Sequence, residues 1–321
     1  MLKPNVDTKN ILSNNSFVLT VILVMMIIGL SLGTNHFATP ANFAVILQTM
    51  TLNGILAIGL TFCILTAGID LSVGSVLSLS GIVLAMALRD GLNPGTAIFL
   101  ALLCGMLCGL VNGLLVSMFK LPAFIATLGM QSIAMGIALT LTLGHPITGV
   151  FGSLRFIGTY RVLNNLVPVQ FLIMLGCFLV AFFILKFTRL GRYMYLIGGN
   201  AEAAKFAGVN MKVYTAAPFV LSGMLAAIAA IIMTARLNSA EAVAGVGLEL
   251  DAVAAAIIGG TSMRGGEGTM LGTFLGALLM AVIRNGMVQM GLGPHPQRIT
   301  IGAIIIVVVM IDMINRNRTG N

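Results

Sequence analysis

Residues 43–67 read FAVILQTMTLNGILAIGLTFCILTA, and no Asp, Glu, Lys or Arg interrupts them. The hydrocarbon core of a bilayer is about 30 Å thick, so a helix needs about 20 apolar residues to cross it. The apolar residues form a continuous run here, whereas the strands of a membrane barrel alternate apolar and polar positions. The stretch therefore predicts a membrane-spanning helix.

Comparable apolar blocks recur along the whole chain. Hydrophobic residues make up 58% of its 321 residues and charged residues 8%, whereas about 25% of the residues of a soluble domain are charged. This composition predicts an all-α integral membrane protein, a single domain of residues 1–321 that is a bundle of about ten transmembrane helices, one or more of them short or broken. The predicted spans are 17–34, 43–67, 74–88, 95–119, 121–144, 168–187, 214–235, 250–263, 269–290 and 298–314.

Two of these spans, the third and the eighth, are short for a full crossing. The eighth begins LDAVAAAIIGGTS and continues directly into the glycine-rich residues 265–268. Irregular backbone at membrane depth survives only beside protein or water, which is typical of helices along a transport path. A short, tilted span is the alternative.

The positive residues indicate the orientation of the chain. With the N-terminus in the cytoplasm, eleven of the 17 Lys and Arg residues fall in cytoplasmic segments and six at the outer side, as the positive-inside rule requires. This orientation predicts cytoplasmic tails at 1–16 and 315–321, and a cytoplasmic loop at 188–212. The first span is long for a signal peptide, so we expect it to remain in the membrane. The net charge of +8 is scattered rather than clustered, so no nucleic-acid partner is expected.

Two ridges of small residues predict close helix contacts. Gly105, Gly109 and Gly113 form one ridge, and residues 268, 272 and 276, all glycines, form the other. Such spacing allows helix backbones to approach closely in lipid. Packing within one bundle is favoured, and a seam between two subunits is the alternative.

The sequence shows no catalytic or metal-binding pattern. His36, His145 and His295 all fall in outer loops and form no His-x-x-x-His pair, so a metal site is not expected. No Walker A sequence occurs either. We expect no enzyme activity and no cofactor on this chain, and ATP that powers transport would bind to another polypeptide.

Several polar residues within or beside the spans are candidates for a translocation path or gate. Asp70 and Ser72 follow the second span, where they either gate the inner mouth of a path or cap the next helix. Glu249 and Asp251 are expected to cap the eighth span. The remaining candidates, which would bind a hydroxylated solute or a neighbouring helix, are Asn53, Asn112 and Gln131.

The loop 188–212 contains the signals of a short helix. Asn200 is a good N-cap, Glu202 suits the first turn, and Gly208 is a natural stop. A two-turn helix is marginal alone, so we expect it to dock on a cytoplasmic partner, or alternatively on the headgroup surface.

Five stretches carry a resemblance to a known family. They are LTAGIDLSVGSVLSLSG at 65–81, LPAFIATLGM at 121–130, TRLGRYMYLIGGNAEAAKFAGVN at 188–210, ARLNSAEAVAGVGLELDAVAAAIIGGTSMRGGEGTMLGTFLGALL at 235–279 and RNG at 284–286. In them the chain resembles permease subunits of bacterial ABC importers for monosaccharides of the ribose, galactose and xylose type.

The resemblance implies a set of partners in the bacterial cytoplasmic membrane. These are a second copy of the chain or a close paralogue, a cytoplasmic subunit that binds ATP and magnesium, and a periplasmic or extracellular sugar-binding protein. It also implies that the short helix of the 188–212 loop couples the permease to the ATPase. The expected coupling residues are Gly199, Asn200, Glu202, Ala203, Lys205 and Gly208.

We therefore expect a permease subunit for a pentose or hexose, with a ribose-like sugar favoured. A furanosyl signal molecule or inositol is an alternative solute in the broader family. The alternative mechanism is an ion-coupled secondary carrier of a small polar solute, although such carriers usually bury ionisable groups in mid-span. A non-transporting membrane scaffold is disfavoured because the chain has no large soluble domain.

Overall fold

The computed structural model of the protein describes residues 15–34 and 36–318. Residues 1–14 of the predicted N-terminal tail, with Lys3 and Lys9, and residues 319–321 of the predicted C-terminal tail lie outside these residues. The first helix begins at Asn15 and the last helix ends at Arg318, so both helices extend into segments predicted to be tails.

The described residues form thirteen α-helices, one 3-10 turn and four strands of two residues each. The helices are α1 (Asn15–Gly33), α2 (Pro40–Leu65), α3 (Val73–Arg89), α4 (Pro94–Ser117), α5 (Ala123–Thr142), α6 (Arg155–Thr159), α7 (Val169–Phe187), α8 (Arg189–Gly199), α9 (Ala201–Phe206), α10 (Met211–Leu237), α11 (Leu248–Ile258), α12 (Met270–Gln289) and α13 (Pro294–Arg318). The strands are β1 (Ile147–Thr148), β2 (Arg161–Val162), β3 (Val167–Pro168) and β4 (Ser239–Ala240).

Each of the ten predicted spans contains a helix. Six of these helices are long and apolar enough to cross a membrane, namely α2, α4, α5, α7, α10 and α12. The predicted third and eighth spans correspond to α3 and α11, which have 17 and 11 residues. At 1.5 Å per residue, α11 covers only about half of a bilayer core. The prediction of short helices is therefore confirmed, whereas the count of about ten crossing helices stays a prediction.

Polar residues in the connecting loops set where the helices begin. Thr39, Asn93, Asn200, Asn210 and Thr269 each accept a hydrogen bond from a backbone N–H in the first turn of the helix that follows. Such caps satisfy donors that the helix itself leaves free.

The core of the bundle contains α2, α10 and α12, whereas α4, α5 and α7 lie around it. About three quarters of an 18-residue window of α2 is buried, against 28% for each of the three outer helices. The outer helices expose large apolar side chains such as Phe99, Phe124 and Leu179. An exposed apolar belt of this kind is what a protein surface needs to contact lipid.

The first glycine ridge packs α4 directly against α10. A Cβ atom built on Gly109 would lie 2.1 Å from the carbonyl oxygen of Phe219, and one on Gly105 would lie 2.3 Å from that of Gly223. In the second ridge, a Cβ on Gly276 would lie 2.0 Å from the carbonyl oxygen of Ala255 in α11. Both ridges therefore pack within the bundle, as favoured from the sequence.

The connecting loops group at the two ends of the bundle as the predicted orientation requires. Leu65, Gly198 and Gly266, from three segments predicted to be cytoplasmic, meet at one end. At the other end, β1 pairs with β4, which joins two loops predicted to be external.

The α4–α10 contact predicts a large effect of a small change. Gly109→Ala should lower the unfolding free energy by about 1–3 kcal/mol, because the new methyl group meets backbone that cannot move aside. The loss of stability is measured as a lower melting temperature of the detergent-purified protein. The matched control is Gly136→Ala, where a Cβ has nothing within 4 Å. Equal melting temperatures for the two variants would contradict the packing described.

Candidate functional site

The loop between α2 and α3 buries a carboxylate inside the bundle. Only 1% of Asp70 is exposed. Its Oδ1 accepts the backbone N–H of Ser72 at 3.0 Å and the Ser72 hydroxyl at 2.6 Å, and its Oδ2 accepts the Ser222 hydroxyl from α10 at 2.8 Å. The amide of Asn112 in α4 donates to Ser72 Oγ at 2.9 Å. We call these four residues the Asp70 cluster.

The cluster satisfies the buried carboxylate with three hydrogen bonds, which a charge in such a place requires. Asp70 bonds the residue directly before α3, so it organises the start of that helix, and Ser72 itself forms no side-chain cap. Neither side chain faces solvent in this structure. A gating role for Asp70 and Ser72 stays a prediction.

A second polar group lies where α5 faces the start of α11. Glu249 accepts the backbone N–H of Gly247 at 3.0 Å, which confirms its predicted place at the N-terminus of α11. The Gln131 amide donates to Glu249 at 3.4 Å. One turn earlier on α5, the Thr127 hydroxyl donates to the carbonyl of Ile69 at 3.1 Å. Side chains of α5 thus bond Glu249 and the backbone of the residue that precedes Asp70.

The irregular segment before α11 packs closely against the start of α3. A Cβ on Gly74 would lie 2.4 Å from the carbonyl oxygen of Gly245, and the N–H of Gly245 donates to Ser78 Oγ at 2.9 Å. Residues 66–72 and 238–247 are thus two non-helical segments, and the second packs at Gly245 against the helix that follows the first. Such segments occur at membrane depth where they line a path or lie within protein.

Two other predicted residues have different surroundings. Asn53 is buried near the middle of α2. Asp251 was expected to cap α11, and this is wrong, because its carboxylate pairs with the guanidinium of Arg284 on α12. The pair joins residues 33 positions apart, so local sequence carried no signal of it.

The loop 188–212 contains the predicted short helix and one more. Asn200 accepts the N–H of Ala203 at 2.9 Å, and Gly208 has a φ of +76°, so the cap and the stop of α9 are confirmed. The preceding α8 was not predicted. Its buried residues are Gly191, Met194 and Ile197. A search for continuous apolar blocks does not detect this amphipathic spacing of three residues.

One face of α9 is anchored and the other is free. Ala204 is fully buried and packs with Ile197 and Val209. Glu202, Ala203 and Lys205 are exposed, as are Gly199 and Gly208. The largest exposed group is Phe206, of which 90% is accessible. This face of α9 is therefore available for contact with a partner or with the membrane surface.

Backbone contacts connect α8 to the bundle. The N–H of Gly266 donates to the carbonyl oxygen of Leu65 at 2.9 Å. A Cβ on Gly198 would lie 1.9 Å from that same oxygen, and a Cβ on Gly266 would lie 2.6 Å from the nitrogen of Gly199. We call the meeting of Leu65, Gly198 and Gly266 the glycine contact.

A tyrosine strengthens the glycine contact. The Tyr195 hydroxyl donates to the carbonyl oxygen of Gly268 at 2.7 Å, and burial raises the pKa of this phenol. The contact joins α8 to the end of α2, five residues before Asp70, and to the loop that precedes α12. The glycine contact and Tyr195 therefore attach α8 to both loops.

A family model described as a branched-chain amino acid transport system permease component matches residues 42–309. The chain belongs to this permease family. The ribose import permease protein of Escherichia coli K12 is 40% identical to this permease over 92% of each chain, and that of Bacillus subtilis is 38% identical over 90% of each. The D-allose transport system permease protein of Escherichia coli K12 is 36% identical over 90% of this chain and 88% of its own length.

The fold of this permease also has a solved counterpart. A metal-chelate type ABC transporter in an inward-facing conformation matches 94% of the permease and 98% of its own chain, with a TM-score of 0.54 and 17% sequence identity. The likeness shows that the bundle has the fold of an ABC transporter membrane subunit. The relatives are transport permeases, and among the described residues no three His, Cys, Asp or Glu side chains group as a metal site would need.

The Asp70 cluster predicts a stability effect. Asp70→Ala leaves three buried donors without their acceptor, so it should lower the unfolding free energy by about 2 kcal/mol or more. Asp90→Ala is the control, because 63% of that side chain is exposed; it should change the free energy by less than about 0.5 kcal/mol. The stabilities of the two variants are compared by their melting temperatures in detergent. An Asp70→Ala protein as stable as the control would show that the hydrogen bonds contribute nothing.

Proposed function

We propose that this permease is the membrane subunit of an ATP-driven importer for a monosaccharide, with ribose or a similar aldose as the solute. The observation that carries the proposal is the 38–40% identity to ribose import permeases over nine tenths of the chain. The D-allose relative supports a sugar as well. The name of the family model mentions amino acids, but the ribose and D-allose permeases, which match about nine tenths of the chain, are named for sugars.

The assembly that we propose has three further components. Two permease chains, either identical or paralogous, enclose one path through the bacterial cytoplasmic membrane. A cytoplasmic subunit binds ATP and magnesium, and a periplasmic or extracellular protein delivers the sugar. The termini and α9 lie on the cytoplasmic side, which the excess of Lys and Arg in those segments supports.

Within this assembly, α9 is the coupling element. We place its exposed residues, with Glu202 and Ala203 foremost, in a groove of the ATPase, and Phe206 supplies an apolar anchor there. When two ATPase subunits close on ATP, they displace α9 and α8. The glycine contact then transmits the displacement to the loops that precede α3 and α12.

The buried polar groups are candidates for the gate that this displacement operates. A shift of the loop at residues 66–72 alters the Asp70 cluster and the start of α3. Asn112 belongs to that cluster, and Gln131 meets Glu249 beside it. Asn53 is the candidate on the central helix. The sugar path would open where these helices separate.

Transport by reconstituted vesicles tests the proposed class. D-ribose uptake should require ATP, the ATPase and the binding protein together, and imposed sodium or proton gradients should not replace ATP. Leucine in excess should not compete. Gradient-driven uptake by this chain alone would instead establish a secondary carrier and would refute the proposal.

Replacing the free face of α9 should abolish transport without loss of the protein from the membrane. A variant with Glu202→Lys and Ala203→Trp reverses a charge and adds bulk where the ATPase groove is expected. The control Glu241→Lys makes the same charge reversal on an exposed residue at the opposite end. Uptake and co-purification of the ATPase are measured together. Normal values of both in the double variant would mean that α9 does not dock.

The glycine contact predicts a difference between two neighbouring substitutions. Gly198→Ala places a methyl group against backbone atoms and should lower uptake about tenfold, while the ATPase still binds to α9. Gly199→Ala is the control, since a Cβ there has nothing within 4 Å. Co-purification identifies variants that still bind the ATPase. Equal uptake by both would show that the contact does not transmit motion.

A further inference from the structure

A cavity of about 330 Å³ lies between α11, α12 and α13, at the end of the bundle away from the glycine contact. Polar and apolar side chains line it together. The polar ones are Asp251, Arg284, Gln297 and Arg298. Ile301, Ile305 and Val246 form part of the apolar wall. Its volume falls in the range of about 300–1,000 Å³ that is usual for small-molecule sites.

The polar lining is built around the ion pair of Asp251 and Arg284. The Asp251 side chain is 4% exposed and that of Arg284 is 33% exposed, so the pair lies at the cavity wall with the guanidinium as its accessible member. Arg298, in the first turns of α13, lies near enough to Asp251 for its charge to act on that carboxylate. The site thus holds two cations and one anion.

We propose that this cavity binds a neutral polyhydroxylated solute, a monosaccharide, as it passes through the permease. The inference rests on the proposed function and assigns residues to it. A sugar hydroxyl both donates and accepts a hydrogen bond. The guanidinium groups donate, the carboxylate accepts, and the Gln297 amide does both. The apolar wall suits the C–H face of a sugar ring.

The mixed lining favours a neutral polyhydroxylated ligand over a phosphate. A sugar can use the donors, the acceptors and the apolar wall together, whereas a phosphate accepts hydrogen bonds only. Because Asp251 already pairs with Arg284, Arg298 is the lining cation that a lipid phosphate would bind, and the lipid experiment below distinguishes that occupant from a sugar.

Two other cavities among the described residues have apolar linings. The cavity between α2, α7 and α10 is lined by residues such as Ile58, Phe62 and Val180, and that between α7 and α12 by residues such as Phe178 and Phe274. The Asp70 cluster is polar but offers no open space for a ligand, because its polar groups bind one another in the packed interior.

A cavity-filling substitution tests the site without breaking the ion pair. Gly302 lines the cavity, and a Cβ there has nothing within 4 Å. Gly302→Leu should lower maximal D-ribose uptake about tenfold in vesicles with the ATPase and the binding protein. The control Gly29→Leu adds the same side chain to an exposed face of α1 and should retain uptake.

A second variant distinguishes solute recognition from a structural effect. Arg298→Gln should change the ratio of D-ribose to D-allose uptake by about threefold, the size of one lost hydrogen bond, because a contact with the solute affects two sugars unequally. The same variant is measured in phosphatidylcholine vesicles with and without phosphatidylglycerol. An effect seen only with the anionic lipid would assign Arg298 to a headgroup and overturn the inference.

The two proposals fail in different ways. If the unaltered permease takes up neither D-ribose nor D-allose with ATP and its partners, the proposed function fails and the sugar site fails with it. If the unaltered permease takes up D-ribose and Gly302→Leu does so equally well, the proposed function stands and the site is refuted. An unchanged sugar ratio in Arg298→Gln also refutes it.

Discussion

The close approach of three backbone segments at Gly198 is the constraint that ties α8 to the membrane bundle. The carbonyl oxygen of Leu65 accepts a hydrogen bond from Gly266 while the Cα of Gly198 presses against it. A residue with a side chain does not fit at position 198. As a result α8, the end of α2 and the loop before α12 are held as one unit, although α8 itself lies outside the membrane-crossing helices.

Close backbone contact at glycines also occurs deeper in the bundle. Lipid tails provide no hydrophobic drive for one apolar helix to bind another, so helix association depends on close packing and on polar contacts. The glycines of α4 and α12 permit backbone contact with α10 and α11. The Asp70 cluster adds polar contacts among α2–α3, α4 and α10. Rigid packing in these places makes the bundle able to transmit a displacement rather than absorb it.

The sequence predicts the elements of this structure better than their contacts. Continuous apolar runs located a helix in every predicted span, and local capping chemistry located α9 from Asn200 and Gly208. These features are encoded within a few residues. The amphipathic α8 was missed because its buried face is formed by a few spaced residues, such as Met194, in a segment read as a polar loop.

Contacts between distant segments could not be predicted from local sequence patterns. The residues around Asp251 suggest a helix cap, and only the fold brings Arg284 to its carboxylate. Asp70 lies next to the end of a span in sequence, yet the loop turns inward and buries it against Ser222. In each case a charge that would be costly in isolation acquires a partner from another helix, and local patterns cannot report that partner.

The side of the membrane on which α9 lies determines whether a cytoplasmic motor can reach it. Single cysteines at Phe206 and at Leu163, of which 90% and 72% are exposed, can be labelled with a membrane-impermeant maleimide in intact cells and in inverted vesicles. We expect Phe206→Cys to react only in inverted vesicles and Leu163→Cys only in intact cells. Labelling of Phe206→Cys from outside the cell would contradict the coupling mechanism.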